Sequence, residues 1–476
     1  MAGERYDAVV VGSGPNGLAA AIELARHGLG VLVVEAAPAA GGAVRSGELT
    51  LPGFVHDLGS GIHPLGVASP CFRRWPLADF GLEWVHAAVP AAHPFDGGRA
   101  AVQARSLDET AAGLGEDGEA WRRLFAPFVE RWDDFAEDVL RPVLRRPRHP
   151  LLLARFGSLA LLPAATLARR RFRGEAARAL FAGIAGHSIL PLDRAGTAAV
   201  ALVLGAAAHA GGWPAPRGGA QRLTDALAGY LASLGGEIVT GWRVANLDEL
   251  PPARAILCDL TPRPFLAIAG ERLPAAYRRR LAGWRYGPGA FKVDLALDGP
   301  IPWAAEECAG AGTVHLGGTL AEIAANEAAV GRGEVPERPF LLLSQHTGFD
   351  PSRAPAGKHT VWTYAHVPNG STADVAPAIE RQIERFAPGF RDRILARRVT
   401  TPADLEAANA NLVGGDVAGG AQDLGQVLAR PLAVPVPYRT PVRGLYLCSA
   451  STPPGGGVHG MCGFHAARAV LSDLFD

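Results

Sequence analysis

The chain has 476 residues, and its 46 Lys plus Arg balance 46 Asp plus Glu, so the formal net charge is zero. This length suffices for two or three domains with a buried core, and the charge balance argues against a nucleic-acid partner. The five cysteines form no Cys-x-x-Cys pair and no metal-ligand spacing, so we expect reduced, structural thiols, no dithiol chemistry and no metal site.

A glycine-rich turn follows the first apolar run. Residues 6–11 predict a buried parallel strand, and a helix is predicted over 18–27. Between them, Gly12 permits a tight bend, Gly14 lets the backbone approach a pyrophosphate, and Gly17 lets helix and strand pack closely. The turn therefore predicts a dinucleotide site rather than a purely structural bend. Its expected nucleotide contacts are Gly12, Gly14, Pro15, Asn16 and Gly17.

An acidic residue follows the second predicted strand. Residues 31–34 are apolar, and Glu35 and Ala36 come directly after them. A carboxylate at this distance from the glycine turn accepts hydrogen bonds from ribose hydroxyls and disfavours a 2′-phosphate. We expect both residues to contact an adenosine diphosphate group.

A second glycine turn lies near the other end of the chain. A short strand over 444–448 leads to the triple glycine 455–457, and a helix is predicted from Met461. Such a turn brings bare backbone against a flat or anionic group, and together with the first turn it indicates a flavin. His459 lies inside the turn. It either donates or transfers a proton over the flavin, or fixes the turn through backbone hydrogen bonds.

Further motifs resemble those of the flavoprotein superfamily of carotenoid desaturases and amine oxidases. Gly41-Gly42 with Arg45 follows the ribose-binding acid, and glycine pairs at 218–219 and 235–236 bracket a predicted helix over 220–234. The strand Gly444-Leu-Tyr-Leu447 with its glycine turn is similar to the desaturase C-terminal motif. The chain is thus identified as phytoene dehydrogenase-like.

The resemblance implies an FAD, bound non-covalently, in an α/β fold whose Rossmann-like FAD-binding domain is interleaved with a mixed α+β substrate domain. Ala43 stands where the family has Arg, which leaves Arg45 as its substitute. Ser449, Ser451 and His459 also depart from the desaturase pattern, so we expect the chemistry to diverge from carotene there. The further flavin contacts implied are Gly41, Gly42, Arg45, Gly59, Ser60, Gly61, Val244, Ser451, Gly456, Gly457, Val458, His459 and Met461.

The same resemblance predicts a discontinuous domain organisation. Residues 1–65, 213–262 and 425–476 are expected to form the FAD-binding domain. Residues 66–212 and 263–424 are expected to form the substrate-binding domain, with a helical cap.

An arginine-flanked apolar stretch covers residues 151–168. Arg155, Gly157 and Pro163 interrupt it, and it is short for the roughly 20 residues that span a bilayer. It is either a helical cap over the substrate cavity or a peripheral membrane contact. No signal-sequence pattern is present, so we expect a cytoplasmic protein, with a homodimer left open.

Three side chains are candidates for chemistry: Lys292, His459 and His63. Lys292 lies in an alternating strand over 291–298 that resembles the amine-oxidase strand whose lysine holds a water against flavin N5; the alternative is an ion pair with Asp294. His63 follows the turn 59–61 and is expected to line the cavity. His187 and His209 are expected to be satisfied core or pocket residues.

The sequence therefore predicts an FAD-dependent dehydrogenase, desaturase or oxidase. It would remove hydride from a hydrophobic small molecule to form a C=C or C=N bond, with oxygen or a quinone as acceptor. An amine oxidase and a non-catalytic flavin-binding scaffold remain the alternatives.

Overall fold

Two large sheets organise the computed structural model, which describes residues 6–143 and 145–475. The strands are β1 (Ala8–Val11), β2 (Val31–Val34), β3 (Ser46–Glu48), β4 (Val55–Asp57), β5 (Trp84–Val85), β6 (Val89–Phe95), β7 (Arg99–Gln103), β8 (Ala215–Pro216), β9 (Glu237–Val239), β10 (Ala255–Cys258), β11 (Gly289–Leu297), β12 (Ala311–Leu316), β13 (Leu341–Ser344), β14 (His359–Val367), β15 (Ile394–Thr400) and β16 (Leu445–Leu447).

The helices lie between and around these sheets. They are α1 (Pro15–Ala25), α2 (Pro64–Val67), α3 (Leu107–Gly113), α4 (Gly118–Val129), α5 (Trp132–Val139), α6 (Pro150–Ala160), α7 (Ala164–Arg171), α8 (Glu175–Ala185), α9 (Thr197–Gly211), α10 (Gln221–Ser233), α11 (Pro262–Ala269), α12 (Ala275–Ala282), α13 (Leu320–Gly331), α14 (Ala376–Phe386), α15 (Pro402–Ala408), α16 (Leu424–Leu428) and α17 (Met461–Leu474).

The first sheet has five parallel strands in the order β16-β10-β1-β2-β9. In register, Ala8 pairs with Ala255 on one side and with Val31 on the other. Helices α1 and α17 pack on one face, and residues of α11 pack on the other. Burial on both faces explains why β1 and β2 are continuous apolar runs. Val244, expected beside β9, lies outside the strands.

The second sheet has seven strands in the order β15-β11-β14-β13-β12-β6-β7, antiparallel except between β6 and β12. One face packs Val293 and Leu295 against Ile379 and Phe386 of α14. Because side chains alternate along a strand, Lys292 points to the opposite face, as its alternating pattern predicts. That face is turned toward the helices α6 to α9 and the first sheet.

The arginine-flanked apolar stretch is not one helix. Helices α6 and α7 meet at an angle of 98°, with Pro163 between them. Within the described ranges no single helix is long and apolar enough to cross a membrane. Helices α6 and α7 have the required length and apolar composition only when they are counted together as a bent pair.

The α/β fold class, with a Rossmann-like parallel sheet and a separate mixed sheet, is confirmed. The residue boundaries of the two domains stay a prediction.

Candidate functional site

A cavity of about 1450 Å³ lies between the two sheets and the helices. It opens at the carboxyl ends of β1, β2, β10 and β16, where Val11, Val34, Asp259 and Ser449 line it. Ligands of parallel α/β sheets bind at this edge. Single-ligand cavities usually measure about 300–1000 Å³, so this one has room for a dinucleotide and a second molecule.

The first glycine turn forms one wall. Gly12 has a φ of +101°, which other residues rarely adopt, and Gly14 is the N-cap of α1. A Cβ on Gly17 would lie 2.1 Å from the Gly12 carbonyl oxygen, so only glycine allows this packing. The N-terminus of α1 thus presents backbone N–H groups to the cavity, which is the arrangement that binds a pyrophosphate.

Glu35 lies at the end of β2 and lines the cavity. Its carboxylate accepts hydrogen bonds from the Ser13 backbone N–H at 2.9 Å and the Ser13 hydroxyl at 2.6 Å. Its other oxygen accepts from the Ala37 N–H at 2.8 Å. Glu35 is therefore fixed in orientation against the glycine turn before any ligand binds.

Asp259 is a site residue that the sequence analysis missed. It follows β10, and its carboxyl oxygen accepts a hydrogen bond from the Gly17 N–H at 2.9 Å. Burial raises the pKa of Asp259 to about 7. The acid is therefore about half protonated at neutral pH and largely protonated below it, which suits a neighbouring anion. An acid directly after a buried apolar strand was the signal in the sequence.

The loop that contains Gly59, Ser60 and Gly61 also lines the cavity. The indole N–H of Trp362 donates to the Gly59 carbonyl at 2.9 Å, and His346 Nε2 donates to the Gly61 carbonyl at 2.8 Å. Trp362 lies in β14 of the second sheet, and His346 lies in the turn that follows β13. The loop is thereby held between the two sheets.

A buried ion-pair network lies behind this loop. Arg353 donates to Asp57 at 2.6 Å, to Asp350 at 3.0 Å and to the Pro216 carbonyl at 3.0 Å. Despite burial, the Arg353 guanidinium and neighbouring donors hold the pKa of Asp57 well below its usual range. The network ties β4, β8 and the turn after β13 together, and sequence analysis did not anticipate it.

The second glycine turn forms the facing wall. Gly455 and Gly457 have φ values of +114° and +117°. The N–H of Met461, the first residue of α17, donates to His459 Nδ1 at 3.0 Å, and the Ser69 hydroxyl donates to the His459 carbonyl at 2.6 Å. Burial lowers the pKa of His459 to about 4. These hydrogen bonds agree with the interpretation in which His459 fixes the turn. His459 also lines the cavity.

Lys292 lines the cavity and forms a buried ion pair with Asp294. Burial raises the pKa of Asp294 to about 6 despite this partner, and His56 Nδ1 lies 3.7 Å from the other carboxyl oxygen. The ion pair considered for Lys292 is thus present. Trp362 and Tyr364 of the neighbouring strand β14 line the same cavity, and Tyr364 is the register partner of Lys292.

The other histidines differ in exposure to the cavity. His63 lines it, its Nε2 lies 3.1 Å from the Ser60 hydroxyl, and burial lowers its pKa to about 4. His187 also lines it. His209 accepts from the Trp121 indole at 3.1 Å and donates to the Arg105 carbonyl at 3.0 Å, so it is a satisfied core residue, as expected.

Most of the expected cofactor contacts meet in this cavity, while their roles stay predictions. Gly17, Gly41, Ser451 and Met461 do not line it. Gly17 packs on the Gly12 carbonyl, and Gly41 packs against Thr224 and the Val44 carbonyl. The residues brought together are Gly12, Gly14, Pro15, Asn16, Glu35, Ala36, Gly42, Arg45, Gly59, Ser60, Gly61, His63, Val244, Lys292, Gly456, Gly457, Val458 and His459.

Fold and site together resemble those of Rossmann-type dinucleotide-binding proteins. Residues 10–75 match the family model of the NAD(P)-binding Rossmann-like domain. The chain is 29% identical to pyridine nucleotide-disulfide oxidoreductase domain-containing protein 2 of Mus musculus, over 99% of this chain and 94% of that one. It is 29% identical to phytoene dehydrogenase of Streptomyces griseus over 82% and 77% of the two chains. Hydroxyneurosporene desaturase of Rhodobacter capsulatus is 26% identical over 98% of both.

Solved structures share the fold. An oxidoreductase from Methanosarcina mazei superposes with a TM-score of 0.66 at 17% identity, over 98% and 99% of the two chains. Cyclohexylamine oxidase from Brevibacterium oxydans has a TM-score of 0.60 at 18% identity, over 99% and 100%. The resemblance to phytoene dehydrogenase-like proteins is confirmed by the sequence relatives, and cyclohexylamine oxidase shares the fold.

Proposed function

We propose that this protein is an FAD-dependent oxidoreductase that removes hydride from a hydrophobic small molecule, forming a C=C or C=N bond. One observation carries the proposal. The same cavity joins two glycine turns, suited to a dinucleotide, to an apolar compartment with one buried lysine in its wall. A protein that only binds a nucleotide has no use for the second compartment.

The residues present fit an FAD. The N–H groups of the first turn would bind its pyrophosphate, and Glu35 its ribose. The glycines at 455–457 would admit the flat ring system, with the α17 N-terminus supplying a positive field. Bound FAD accepts a hydride from carbon and passes the electrons to an acceptor, here oxygen or a quinone. None of the five cysteines lines the cavity, so no thiol is placed to bond to the flavin, and we propose non-covalent binding.

The apolar compartment favours a hydrophobic substrate. Its walls include Leu153, Phe156, Val200, Val203 and Leu204, from α6 and α9. These side chains exclude water from the compartment. They would hold a hydrocarbon skeleton against the second sheet, where Lys292 lies.

Lys292 and His63 would position the reacting part of the substrate. The buried Lys292–Asp294 pair gives a fixed ammonium group that can hold a water molecule or a polar substituent. His63 and His459 are neutral at pH 7, because burial lowers the pKa of each to about 4. They would act there as neutral hydrogen-bonding groups, not as charged acids.

An amine substrate is the second candidate. The Trp362 and Tyr364 rings both line the cavity, with centroids 5.2 Å apart, and aromatic rings attract ammonium groups. This pair lies on β14, in the second sheet. The third alternative is a flavin-binding scaffold without turnover.

We also propose that the substrate enters the cavity from a lipid surface. Val143 and Leu161 line the cavity and are 52% and 54% exposed, and Leu151 of α6 is 86% exposed. Arginines flank these residues, as at a peripheral membrane contact. Flotation with anionic liposomes tests this contact, and a protein that stays at the bottom at low salt contradicts it. A cytoplasmic location stays a prediction.

Anaerobic reduction of the bound flavin separates the three functions. The holoprotein is mixed with a panel of hydrophobic alkenes and amines, and bleaching of the flavin absorption is followed. We expect bleaching by members with an allylic or otherwise activated C–H bond. Bleaching by amines alone supports the amine oxidase, and no bleaching across the panel supports the scaffold.

A further inference from the structure

A row of four side chains crosses the cavity side of the second sheet. Lys292 pairs with Tyr364, Tyr364 with Leu342, and Leu342 with His315, on four adjacent strands. Residues directly opposite each other point to the same face. Neighbouring strands are about 4.8 Å apart, so the row spans roughly 14 Å. Lys292 is at one end, and the middle of the row is an aromatic and an aliphatic side chain.

The other end of the row is polar. His315 Nε2 lies 3.0 Å from Nε2 of His187, which lines the cavity. Thr313 precedes His315 by two residues, so it lies on the same face of β12, and it too lines the cavity. Trp213 packs edge-on to His187 with ring centroids 5.8 Å apart. We call Thr313, His187 and His315 the polar end.

The His187–His315 bond leaves His187 adaptable. Burial lowers the pKa of His187 to about 3 and that of His315 well below its ordinary value, so both rings are neutral at pH 7. One ring then donates through Nε2 and the other accepts. His315 Nδ1 has no partner among the described residues, so neither direction is imposed from behind. His187 Nδ1 lies outside this bond and can therefore accept or donate.

We infer that the polar end binds an uncharged oxygen substituent, a hydroxyl or a carbonyl, of an elongated apolar substrate. The placement of the reacting carbon at the Lys292 end rests on the proposed function. A pure hydrocarbon in the cavity would leave His187 Nδ1 and the Thr313 hydroxyl without a hydrogen-bond partner, which costs free energy. A carboxylate would meet two neutral imidazoles and a hydroxyl, because no described Lys or Arg is close enough to shift the pKa of either histidine. The substrate class is therefore an elongated, long-chain lipid that carries a hydroxyl or carbonyl group.

Equilibrium dialysis of the holoprotein with radiolabelled dodecanol and dodecane tests this inference. One hydrogen bond of about 1.4 kcal/mol corresponds to roughly tenfold in affinity, so we expect dodecanol to bind about tenfold more tightly than dodecane. In His187→Phe and in the nearly isosteric Thr313→Val this preference falls toward equality. Thr360→Val, which removes a buried hydroxyl of β14 that does not line the cavity, keeps it.

Two results overturn the inference: no preference for dodecanol in the native protein, or an undiminished preference in both cavity variants. Thr313→Val keeps the test decisive if His187→Phe does not fold. The dialysis needs no turnover, so its outcome is independent of the flavin-reduction panel. A preserved dodecanol preference with no flavin reduction would refute the proposed function and leave the polar end in place.

Discussion

The carboxyl group of Asp259 accepts a hydrogen bond from the backbone N–H of Gly17 at 2.9 Å, across 242 residues of sequence. This contact joins the end of β10 to the first turn of α1. It places a titratable acid at the helix terminus that would bind the pyrophosphate. The acid resists ionisation because it is buried, and ionised it would repel the ligand.

The first prediction concerns the pH dependence of FAD affinity. The pKa of Asp259 is raised from 3.8 to about 7. The contribution of the protonated acid to the free energy of unfolding is therefore lost as the pH rises from about 4 through 7. We expect the dissociation constant of FAD, measured by quenching of flavin fluorescence on the apoprotein, to rise about tenfold between pH 6 and 9. Asp259→Asn should flatten this profile.

Asp416→Asn is the matched control for Asp259. Burial raises the pKa of Asp416 as well, and its carboxylate accepts from the Gly287 and Ala418 N–H groups and not from the first glycine turn. This variant should keep the native pH profile. An Asp259→Asn protein whose FAD affinity still weakens with pH as in the native protein would contradict the assignment.

The second prediction concerns the packing of the first turn. In Gly17→Ala the new methyl group would overlap the Gly12 carbonyl, so the turn must open. We expect FAD affinity to fall by about 2 kcal/mol or more, roughly thirtyfold. Gly113→Ala in α3 has open space around its Cβ and should leave affinity unchanged. Equal affinities of the two variants would show that the turn does not bind the cofactor.

The third prediction concerns Lys292. Lys292→Met removes the ammonium beside the reacting region, and we expect flavin reduction by an active substrate to slow at least about tenfold while FAD stays bound. The removal also leaves Asp294 buried without its partner, so the thermal midpoint should fall. Adding Asp294→Asn should recover stability but not the reduction rate.

The chain's only other lysine supplies the control. Lys358 is partly exposed and pairs with Asp298 on the surface, so Lys358→Met should change neither rate nor midpoint appreciably. An unchanged reduction rate in Lys292→Met, measured by anaerobic stopped flow, would remove the lysine from the reaction.

The fourth prediction concerns the network behind the Gly59–Gly61 loop. Arg353→Met leaves Asp57 and Asp350 buried without their shared cation, and breaking such a group costs about 3–5 kcal/mol. Differential scanning calorimetry should show a clear drop in the thermal midpoint. Arg397→Met removes an arginine that is half exposed and pairs with Glu380, and it should cost about 1 kcal/mol at most. Similar midpoints for both variants would contradict this account.

The sequence predicted those parts of the site that are local in the chain. Each glycine turn joins a strand, a bend and a helix within about 30 residues or fewer, and β1, β2, β11 and α17 form close to the expected positions. The alternation along β11 also predicted which face Lys292 occupies. Short-range periodicity and turn chemistry are sufficient for such features.

Contacts between distant residues could not be predicted. Arg353 and Asp57 are 296 residues apart, and His187 and His315 are 128 apart. Each residue alone has an ordinary local pattern, so only the packed fold brings the pair together. The apolar stretch 151–168 left a helical cap and a membrane contact open for the same reason. Its pattern could not predict the 98° angle between α6 and α7, which places residues of α6 in the wall of the cavity.

Acid precipitation of the purified protein, followed by mass spectrometry of the supernatant, tests the central claim most directly. We expect the native protein to release stoichiometric, intact FAD into the supernatant and to leave a colourless pellet. Gly17→Ala should release far less FAD. Flavin colour retained in the pellet would contradict non-covalent binding. A supernatant that contains NAD(P) in place of FAD, or no nucleotide after reconstitution with excess FAD, would contradict the assignment of this cavity as a flavin site.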